Sequence, residues 1–504
     1  MNKFNFKGKD SLPPMANFGR QKTLQRNGYI LITGATGLVG QYLLRDLFAE
    51  NQNLAVLVRP TKKASAKQRI EFIMQRWENQ LGRPLPRPMV IEGDLNGPNL
   101  GLTSHSKEWV AKHCDRIIHN AAILKFERND QNGEPWKTNL EGTRHVLQFA
   151  SDLEIREFHY ISTAYVSGIC KQTFCESDFD IGQTFRNEYE QSKFEAEKLV
   201  RQADGFDVKN IYRPAVIVGD SQTGFTASYH GLYLYLRLMA TLIPLQEKDP
   251  KGVRQTPIRL PMSGNEPRNL VTVDWVSKVI SSSVCNPEAT NLTFNLVPDD
   301  CLTAKKLIEY CCEYFNSGGV EFEESRQTNS GDNKFADQIF ENTRIYSSYD
   351  TSDPTFDKQN VERFCDALEC PIIDRDVIFR YLDFGIENNW GKRKQKMPSV
   401  EDWMSGHEHQ IREAIHELAG NVPVQFGLNV LGPGGGQWNI SMTDTDHILV
   451  EPGLPDDSKP VLFFEPSEIT LLADDEGYTS VWKKLIIGLT QSDVTSQNQI
   501  RLIA

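Results

Sequence analysis

The 504-residue chain lacks the features that mark several large classes of protein. It has no basic excess: Lys plus Arg number 55 against 67 for Asp plus Glu, a net charge of −12, so the electrostatic footprint of a nucleic-acid partner is missing. It has no Cys-x-x-Cys pair. Its nine cysteines are scattered from Cys114 to Cys370 and odd in number, which points to reduced thiols in a reducing compartment rather than to a disulfide framework. No His, Cys, Asp and Glu set carries metal-ligand spacing, so no metal is expected. No apolar stretch follows Lys3, Lys7 and Lys9, and the most apolar segment, Tyr229 to Leu245, contains Arg237 and is too short to span a bilayer. These absences predict a soluble, cytoplasmic protein with neither a signal peptide nor a transmembrane segment.

What is present is core-forming material: 39% hydrophobic residues, with 35 Gly and 25 Pro, ordinary globular usage. Residues 1–27 are polar and studded with Lys and Arg, and read as a loose arm. From Gly28 onward, short apolar runs alternate with helix-length amphipathic segments. Tyr29 to Thr33, Leu54 to Val58, Met89 to Glu92, Arg116 to His119, Glu157 to Ser162, and Asn210 to Tyr212 with Val216 to Val218 read as buried strands. Strands spaced by helices in this way predict an α/β fold, a doubly wound parallel sheet with a smaller substrate-binding lobe, over 28–395. Within it Leu302 to Phe315 and Val361 to Trp390 look helical, and Ser325 to Asp350 loop-rich. Lys392 to Pro398 reads as a linker. Beyond it, residues 400–504 combine a helix, Glu408 to Leu418, with strands at Val424 to Asn429, Gln437 to Met442 and His447 to Val450. The Gly432 to Gly436 run turns between two of these strands, and the whole predicts a small α+β domain.

The first strand runs into Thr33-Gly34-Ala35-Thr36-Gly37-Leu38-Val39-Gly40 and then a helix. Gly34 permits the tight turn, Gly37 lets a pyrophosphate approach the backbone, and Gly40 lets helix and strand pack closely; the helix start offers free N–H donors. Following a buried strand and opening a βαβ unit, this is the context a dinucleotide site requires. The second strand ends in Val58-Arg59-Pro60, where a site for the unphosphorylated cofactor places an acid. Arg59, with Lys62 and Lys63 behind it, suits a 2′-phosphate and so NADPH. Asp94, ending the third strand, is placed either to border an adenine or to cap a helix.

Tyr189 and Lys193 stand four residues apart in a helix-forming run, hence on one face. A free phenol titrates near ~10, and a neighbouring ammonium is expected to lower it. Ser162 and Thr163 close a strand upstream, so a hydroxyl there can polarise a carbonyl. Together with the glycine loop these residues point to proton transfer coupled to a dinucleotide.

At this point the sequence resembles the extended short-chain dehydrogenase/reductases, and within them the fatty acyl-CoA reductase and thioester reductase ("male sterility") branch. The resemblance is carried from Gly28 to Leu296 by Thr33 to Gly40, Leu57-Val58-Arg59-Pro60, Gly93-Asp94-Leu95, Leu100-Gly101-Leu102, Ile118 to Ala122, Asn139-Leu140-Glu141-Gly142-Thr143, Ser162 to Gly168, Tyr189 to Lys193, Arg213 to Gly219 and Asn269 to Asp274. It implies a Rossmann-type fold and a catalytic set of Thr163, Tyr189 and Lys193, with Ser162 the second choice for the hydroxyl. It implies a cofactor cleft formed by Gly34, Thr36, Gly37, Leu38, Val39, Gly40, Arg59, Asp94, Leu95, Asn120, Ala121, Ala122, Lys193, Pro214 and Val216.

The implied reaction is NADPH-dependent reduction of a hydrophobic acyl thioester, on CoA or acyl carrier protein, to aldehyde or alcohol. Tyr229 to Leu245 lies where the family builds its substrate pocket and reads either as an acyl-chain wall or as a core helix. The tail resembles a sterol-carrier-protein-type lipid-binding domain through Phe426 to Gly436, Gly436 to Ile440 and Ser480 to Leu489; a dimerisation or structural module is the equal alternative, and a homo-oligomer stays open. Two other functions remain in view: a dehydrogenase or epimerase acting on a hydroxysteroid or nucleotide sugar, and a non-catalytic nucleotide- or lipid-binding protein.

Overall fold

Seven apolar runs in the first 300 residues line up as one sheet. The computed structural model describes residues 28–62, 64–126, 133–260, 263–322 and 353–391, and after them five strands between Val424 and Ile500. The sheet comprises β1 (Tyr29–Thr33), β2 (Asn53–Val58), β3 (Met89–Glu92), β4 (Cys114–His119), β5 (Glu157–Ile161), β6 (Val208–Pro214) and the strand Thr293–Leu296. All pair in parallel, in the spatial order Thr293–Leu296, β6, β5, β4, β1, β2, β3.

Helices cover both faces, which is why the strands lack polar alternation. Ile30, Ile32, Val56 and Ile118 point to a layer containing α1 (Leu38–Ala49), α2 (Ala66–Leu81) and, later in the chain, the helix Val273–Cys285. Leu31, Ala55, Ile117 and Phe158 point to the opposite layer of α3 (Ser104–His113), α4 (Gly142–Asp152) and α5 (Glu188–Gln202). The chain leaves β1 toward β2 on one side, and β4 takes the other side of β1. A crevice for a ligand therefore opens at the C-terminal ends of β1 and β4.

A second lobe is built from α6 (Leu232–Leu242), α8 (Ala304–Tyr314), the helix Arg375–Glu387 and the parallel pair Arg254–Leu260 with Ser317–Phe322, while α7 (Val273–Cys285) is the helix already placed on the sheet. Leu236, Ile243, Ile378, Tyr381 and Leu382 form its core.

Three expectations need correction. Val216–Val218 does not extend the main sheet but pairs in parallel with Leu270–Thr272. Pro214, with no N–H to give, ends β6, and the Val216 N–H turns to the Asn269 carbonyl at 3.1 Å. Val361 to Trp390 is two helices, Gln359–Cys365 and Arg375–Glu387, separated around Pro371; Asp374 caps the second through the Val377 N–H at 3.0 Å. Leu302 and Thr303 pair with Pro267–Arg268 before α8 begins, and Thr303 caps that helix.

In the C-terminal part the strands run in the order His447–Pro452, Gly436–Thr443, Val424–Val430, Val461–Phe464, Gln499–Ile500, the first three antiparallel and the rest parallel. They contain the three strands read from sequence. The arm 1–27, the 325–350 segment, the linker and the Glu408 to Leu418 helix lie outside the described residues. Among the described residues no helix is long and apolar enough to cross a membrane.

Candidate active site

The glycine loop is shaped by backbone contacts. Gly34 sits at φ +70°, and a Cβ there would fall 2.7 Å from the Ala121 backbone that follows β4. Gly40 lies under the loop, where a Cβ would meet the Gly34 carbonyl at 2.2 Å and Ala35 Cα at 2.6 Å. At Gly37, which caps α1, the nearest atom to such a Cβ is the Gly34 carbonyl at 3.3 Å. The loop thus presents bare backbone and the start of α1 to the crevice, a cradle that fits a pyrophosphate. Asn120 closes it by donating from Nδ2 to the Gly34 carbonyl at 3.1 Å.

Gly34, Thr36, Gly37, Leu38, Val39, Arg59, Asp94, Leu95, Asn120, Ala121, Ala122, Lys193, Pro214 and Val216 all line one cavity of about 820 Å³. Of the residues read as the cofactor cleft, Gly40 alone is not in that lining. Thr163 and Tyr189 line the same cavity.

Arg59 is exposed at the rim, 3.6 Å from the Asp94 carboxylate. Asp94 caps neither helix nor strand; its Oδ1 accepts the Asn96 N–H at 3.0 Å, folding the turn after β3. A second cation joins it. Arg69, on α2, donates to Thr36 Oγ1 at 2.9 Å and to the Arg59 carbonyl, and it lines the cavity. Burial, with Arg59 close by, pushes its guanidinium below its usual range. Sequence reasoning missed Arg69, because a lone Arg in an amphipathic helix reads as a solvated face. Lys63 lies outside the described residues.

Asn187 caps α5 by accepting the Glu190 N–H at 3.0 Å, and the helix brings Tyr189 and Lys193 to the same wall. The two candidate hydroxyls upstream part company. Ser162 Oγ donates to Glu197 Oε2 at 2.6 Å, and Glu197, fully buried, is gripped by Arg213 at 2.7 Å and Arg201 at 2.8 Å. Thr163 Oγ1 makes only long bonds to the protein backbone, 3.4 Å to the Pro214 carbonyl and 3.3 Å from the Tyr165 N–H, and its hydroxyl pulls the Tyr189 phenol down against burial. The hydroxyl of Thr163, rather than that of Ser162, faces the phenol.

The electrostatics depart from expectation. Burial pushes the Tyr189 phenol up to about 12, with Thr163 pulling the other way. Burial pushes Lys193 down to about 7, opposed by Glu197. The Lys193 ammonium does not lower the phenol here, because its Nζ is turned into the protein, 2.8 Å from the Tyr160 hydroxyl and 2.7 Å from the Ile161 carbonyl. Behind it, Asn139 ties the loop after β4 to α5: its Oδ1 accepts the Ile123 N–H at 2.9 Å and its Nδ2 donates to Ser192 Oγ at 3.0 Å. Glu197, four residues after Lys193, was legible as sharing its face; Tyr160 was not, since a tyrosine in a buried strand reads as core.

Past the tyrosine the cavity becomes apolar. Leu236, Met239, Leu260, Leu270, Leu307, Ile308 and Val320 line it, with Arg268 and Asp353 as charged members. In α6, Leu236 is buried in the lobe's core and also borders the cavity, which half-buried Tyr235 and Leu238 line as well.

Residues 32–280 match the family described as male sterility protein, an NAD-binding domain. Among curated proteins the chain is similar to an aldehyde reductase of Aspergillus flavus, 26% identical over 289 residues, which are 54% of this chain and 26% of that protein. It is also similar to a linear gramicidin synthase of Brevibacillus parabrevis, 28% identical over 278 residues, 53% of this chain and 5% of that protein. The match therefore spans a minor part of these relatives' length. Among solved structures, the terminal R domain of a myxalamid PKS-NRPS pathway superposes with a TM-score of 0.57 at 23% identity, covering 72% of this chain and 92% of that one. A thiolation-reductase di-domain from an archaeal non-ribosomal peptide synthetase gives 0.56 at 20% identity, over 72% of this chain and 76% of that one. At such identities the likeness is one of fold.

Proposed function

We propose that the protein, whose residues 32–280 match the male sterility family, is an NADPH-dependent reductase of a hydrophobic acyl thioester. One observation carries the reading: a single cavity joins the glycine loop, the Thr163–Tyr189–Lys193 group and an apolar chamber. NADPH, when bound, supplies the hydride. The loop from Gly34 to Val39 would hold the pyrophosphate, Arg59 and Arg69 the 2′-phosphate, and Lys193 the ribose next to the nicotinamide.

The phenol's direction of shift suits reduction. At about 12 Tyr189 keeps its proton at neutral pH and has it to give. As a carbonyl carbon takes up hydride, negative charge grows on its oxygen. Tyr189 donates its proton to that oxygen, and the Thr163 hydroxyl adds a second donor. With a thioester the product is a hemithioacetal, whose collapse releases aldehyde and free thiol. A second hydride would carry the aldehyde to the alcohol. CoA and acyl carrier protein both present the acyl group on a pantetheine thiol, and the chamber from Leu236 to Val320 takes the acyl chain. A nucleotide-sugar substrate fits less well, since its diphosphate would meet this apolar wall.

The test is incubation of the purified protein with NADPH and a panel of acyl thioesters. Loss of NADPH absorbance matched by thiol release is expected, and Tyr189→Phe should cut turnover roughly 10²- to 10⁴-fold while NADPH still binds. Undiminished turnover in that variant would remove Tyr189 from the mechanism.

A further inference from the structure

Every buried carboxylate among the described residues but one uses both of its oxygens. Glu197 is held by Ser162 on one oxygen and by two arginines on the other. Glu176 takes the Asn295 N–H at 3.0 Å and the Asn360 N–H at 2.7 Å, one on each oxygen. Asp274 accepts the N–H and the hydroxyl of Ser221, and Asp220 divides its oxygens between Tyr42 and the turn that follows it. The carboxylates on Arg87 and Arg186 do likewise.

The exception is Asp353, which is 9% exposed and lines the cavity. Both of its side-chain hydrogen bonds fall on Oδ2, from the Asn269 N–H at 2.8 Å and the Tyr165 hydroxyl at 3.0 Å. Oδ1 accepts nothing from the described residues. A carboxylate taken out of water with one oxygen empty is costly, and packing alone gives no reason to leave it so. Burial pushes its carboxyl up; the Asn269 N–H, the charge of Arg268 and the Tyr165 hydroxyl pull the other way. Two donors already occupy Oδ2, so Oδ1 is the acceptor left for a bound molecule. The segment that carries it is tied down on both sides of the following proline: the Asn269 amide donates to the Pro354 carbonyl at 2.9 Å, and the Phe174 N–H to the Thr355 carbonyl at 2.9 Å.

The groups that hold Asp353 belong to the reacting end of the cavity. Tyr165 stands two residues after Thr163, in the turn Ala164–Ser167, and its N–H bonds Thr163 Oγ1 at 3.3 Å. Asn269 accepts the Val216 N–H on its carbonyl, and Val216 is one of the residues read as the cofactor cleft. The apolar wall of Leu307, Ile308 and Val320 comes instead from α8 and the strand Ser317–Phe322.

We propose that Asp353 is a specificity-determining residue whose free Oδ1 selects acyl groups carrying an O–H or N–H within a few bonds of the reacting carbonyl over plain hydrocarbon chains. The inference rests on the thioester reductase reading and narrows its substrate: a hydrocarbon tail for the apolar wall and one hydrogen-bond donor for Asp353. A plain saturated chain would seal Oδ1 from water with no partner, which is the strongest ground a site has for rejecting a ligand. A hydroxyl and an amide N–H supply the same donor, and the experiment separates them.

Three CoA thioesters of matched length serve: decanoyl, 3-hydroxydecanoyl and N-heptanoylglycyl, the last two with their donor at the same position. The full chain should turn over at least one donor-bearing thioester with a kcat/KM about tenfold or more above decanoyl, and the one preferred names the donor. Asp353→Asn keeps an oxygen for Tyr165 and Asn269 and puts an NH2, itself a donor, where Oδ1 was. The preference should then fall about tenfold or more. A merely structural Asp353 would lower all three thioesters alike. A second arm needs no reduction: with NADPH present, calorimetry gives the dissociation constants of decanamide, 3-hydroxydecanamide and N-heptanoylglycinamide, which should rank in the same order and lose that order in Asp353→Asn. Equal constants across the wild-type series, or a ranking intact in the folded variant, would overturn the proposal. Should Asp353→Asn not fold, the wild-type ranking decides alone. Absence of turnover with every thioester would sink the reductase reading and leave the amide series to judge Asp353.

Discussion

Ser162 and Thr163 are adjacent hydroxyls at the end of one strand, and the structure predicts opposite consequences for losing each. Ser162 Oγ gives a 2.6 Å hydrogen bond to a carboxylate that is 0% exposed. Without it, Glu197 Oε2 keeps only the Arg213 Nε contact at 3.3 Å. A hydrogen bond to a buried charge contributes about 1.5–3 kcal/mol, so Ser162→Ala should destabilise the domain by ~2 kcal/mol, which for a domain of this size lowers Tm by roughly 2–4 °C. Its turnover should stay within about threefold of wild type, since that hydroxyl never reaches the reacting carbonyl. Thr163→Val keeps the shape and loses only bonds of 3.3 and 3.4 Å, so its stability cost should be under ~1 kcal/mol. It removes the hydroxyl that opposes the burial-driven rise of the Tyr189 phenol and a donor to the developing oxyanion, and turnover should fall ~10²- to 10³-fold. Urea unfolding and NADPH oxidation with the best thioester give both numbers for both variants. A Ser162→Ala protein that melts like wild type but turns over as poorly as Thr163→Val would refute the assignment.

Three further outcomes follow from the same geometry. Arg59→Ala and Arg69→Ala should each weaken NADPH roughly tenfold to a hundredfold and leave NADH nearly unaffected, measured as the ratio of the two dissociation constants; an unchanged ratio would reject the 2′-phosphate role. Gly40→Ala should destabilise by about 1–3 kcal/mol or abolish folding, because its Cβ would lie 2.2 and 2.6 Å from backbone atoms that have nowhere to go. Ile308→Trp, which adds bulk to the apolar chamber, should raise KM for long-chain thioesters and spare short ones; equal effects on both would place the acyl chain elsewhere.

How much of this was legible in the sequence depended on how local each cause is. The sheet was, because strands buried on both faces must be apolar at every position, and Ile30-Leu31-Ile32 shows this by serving one helical layer with its ends and the other with its middle. The glycine loop was, since turn, cradle and close packing each demand the missing Cβ within eight residues. Val216–Val218 misled because apolar content says a strand is buried but not which sheet buries it; only Pro214 marked the exit. The spacing of Tyr189 and Lys193 correctly places them on one wall, yet it carries no information about where the ammonium points. That is set by Tyr160, 33 residues earlier in the chain, and by the depth of burial. The consequence reverses the expected chemistry of the pair. Burial, with the lysine held away from the phenol, leaves Tyr189 a reluctant acid at about 12 rather than a ready phenolate. Such a group gives up its proton only to an oxygen that has become strongly basic, and hydride arrival at a carbonyl creates that oxygen. In the proposed reduction, proton donation is then tied to hydride transfer rather than preceding it.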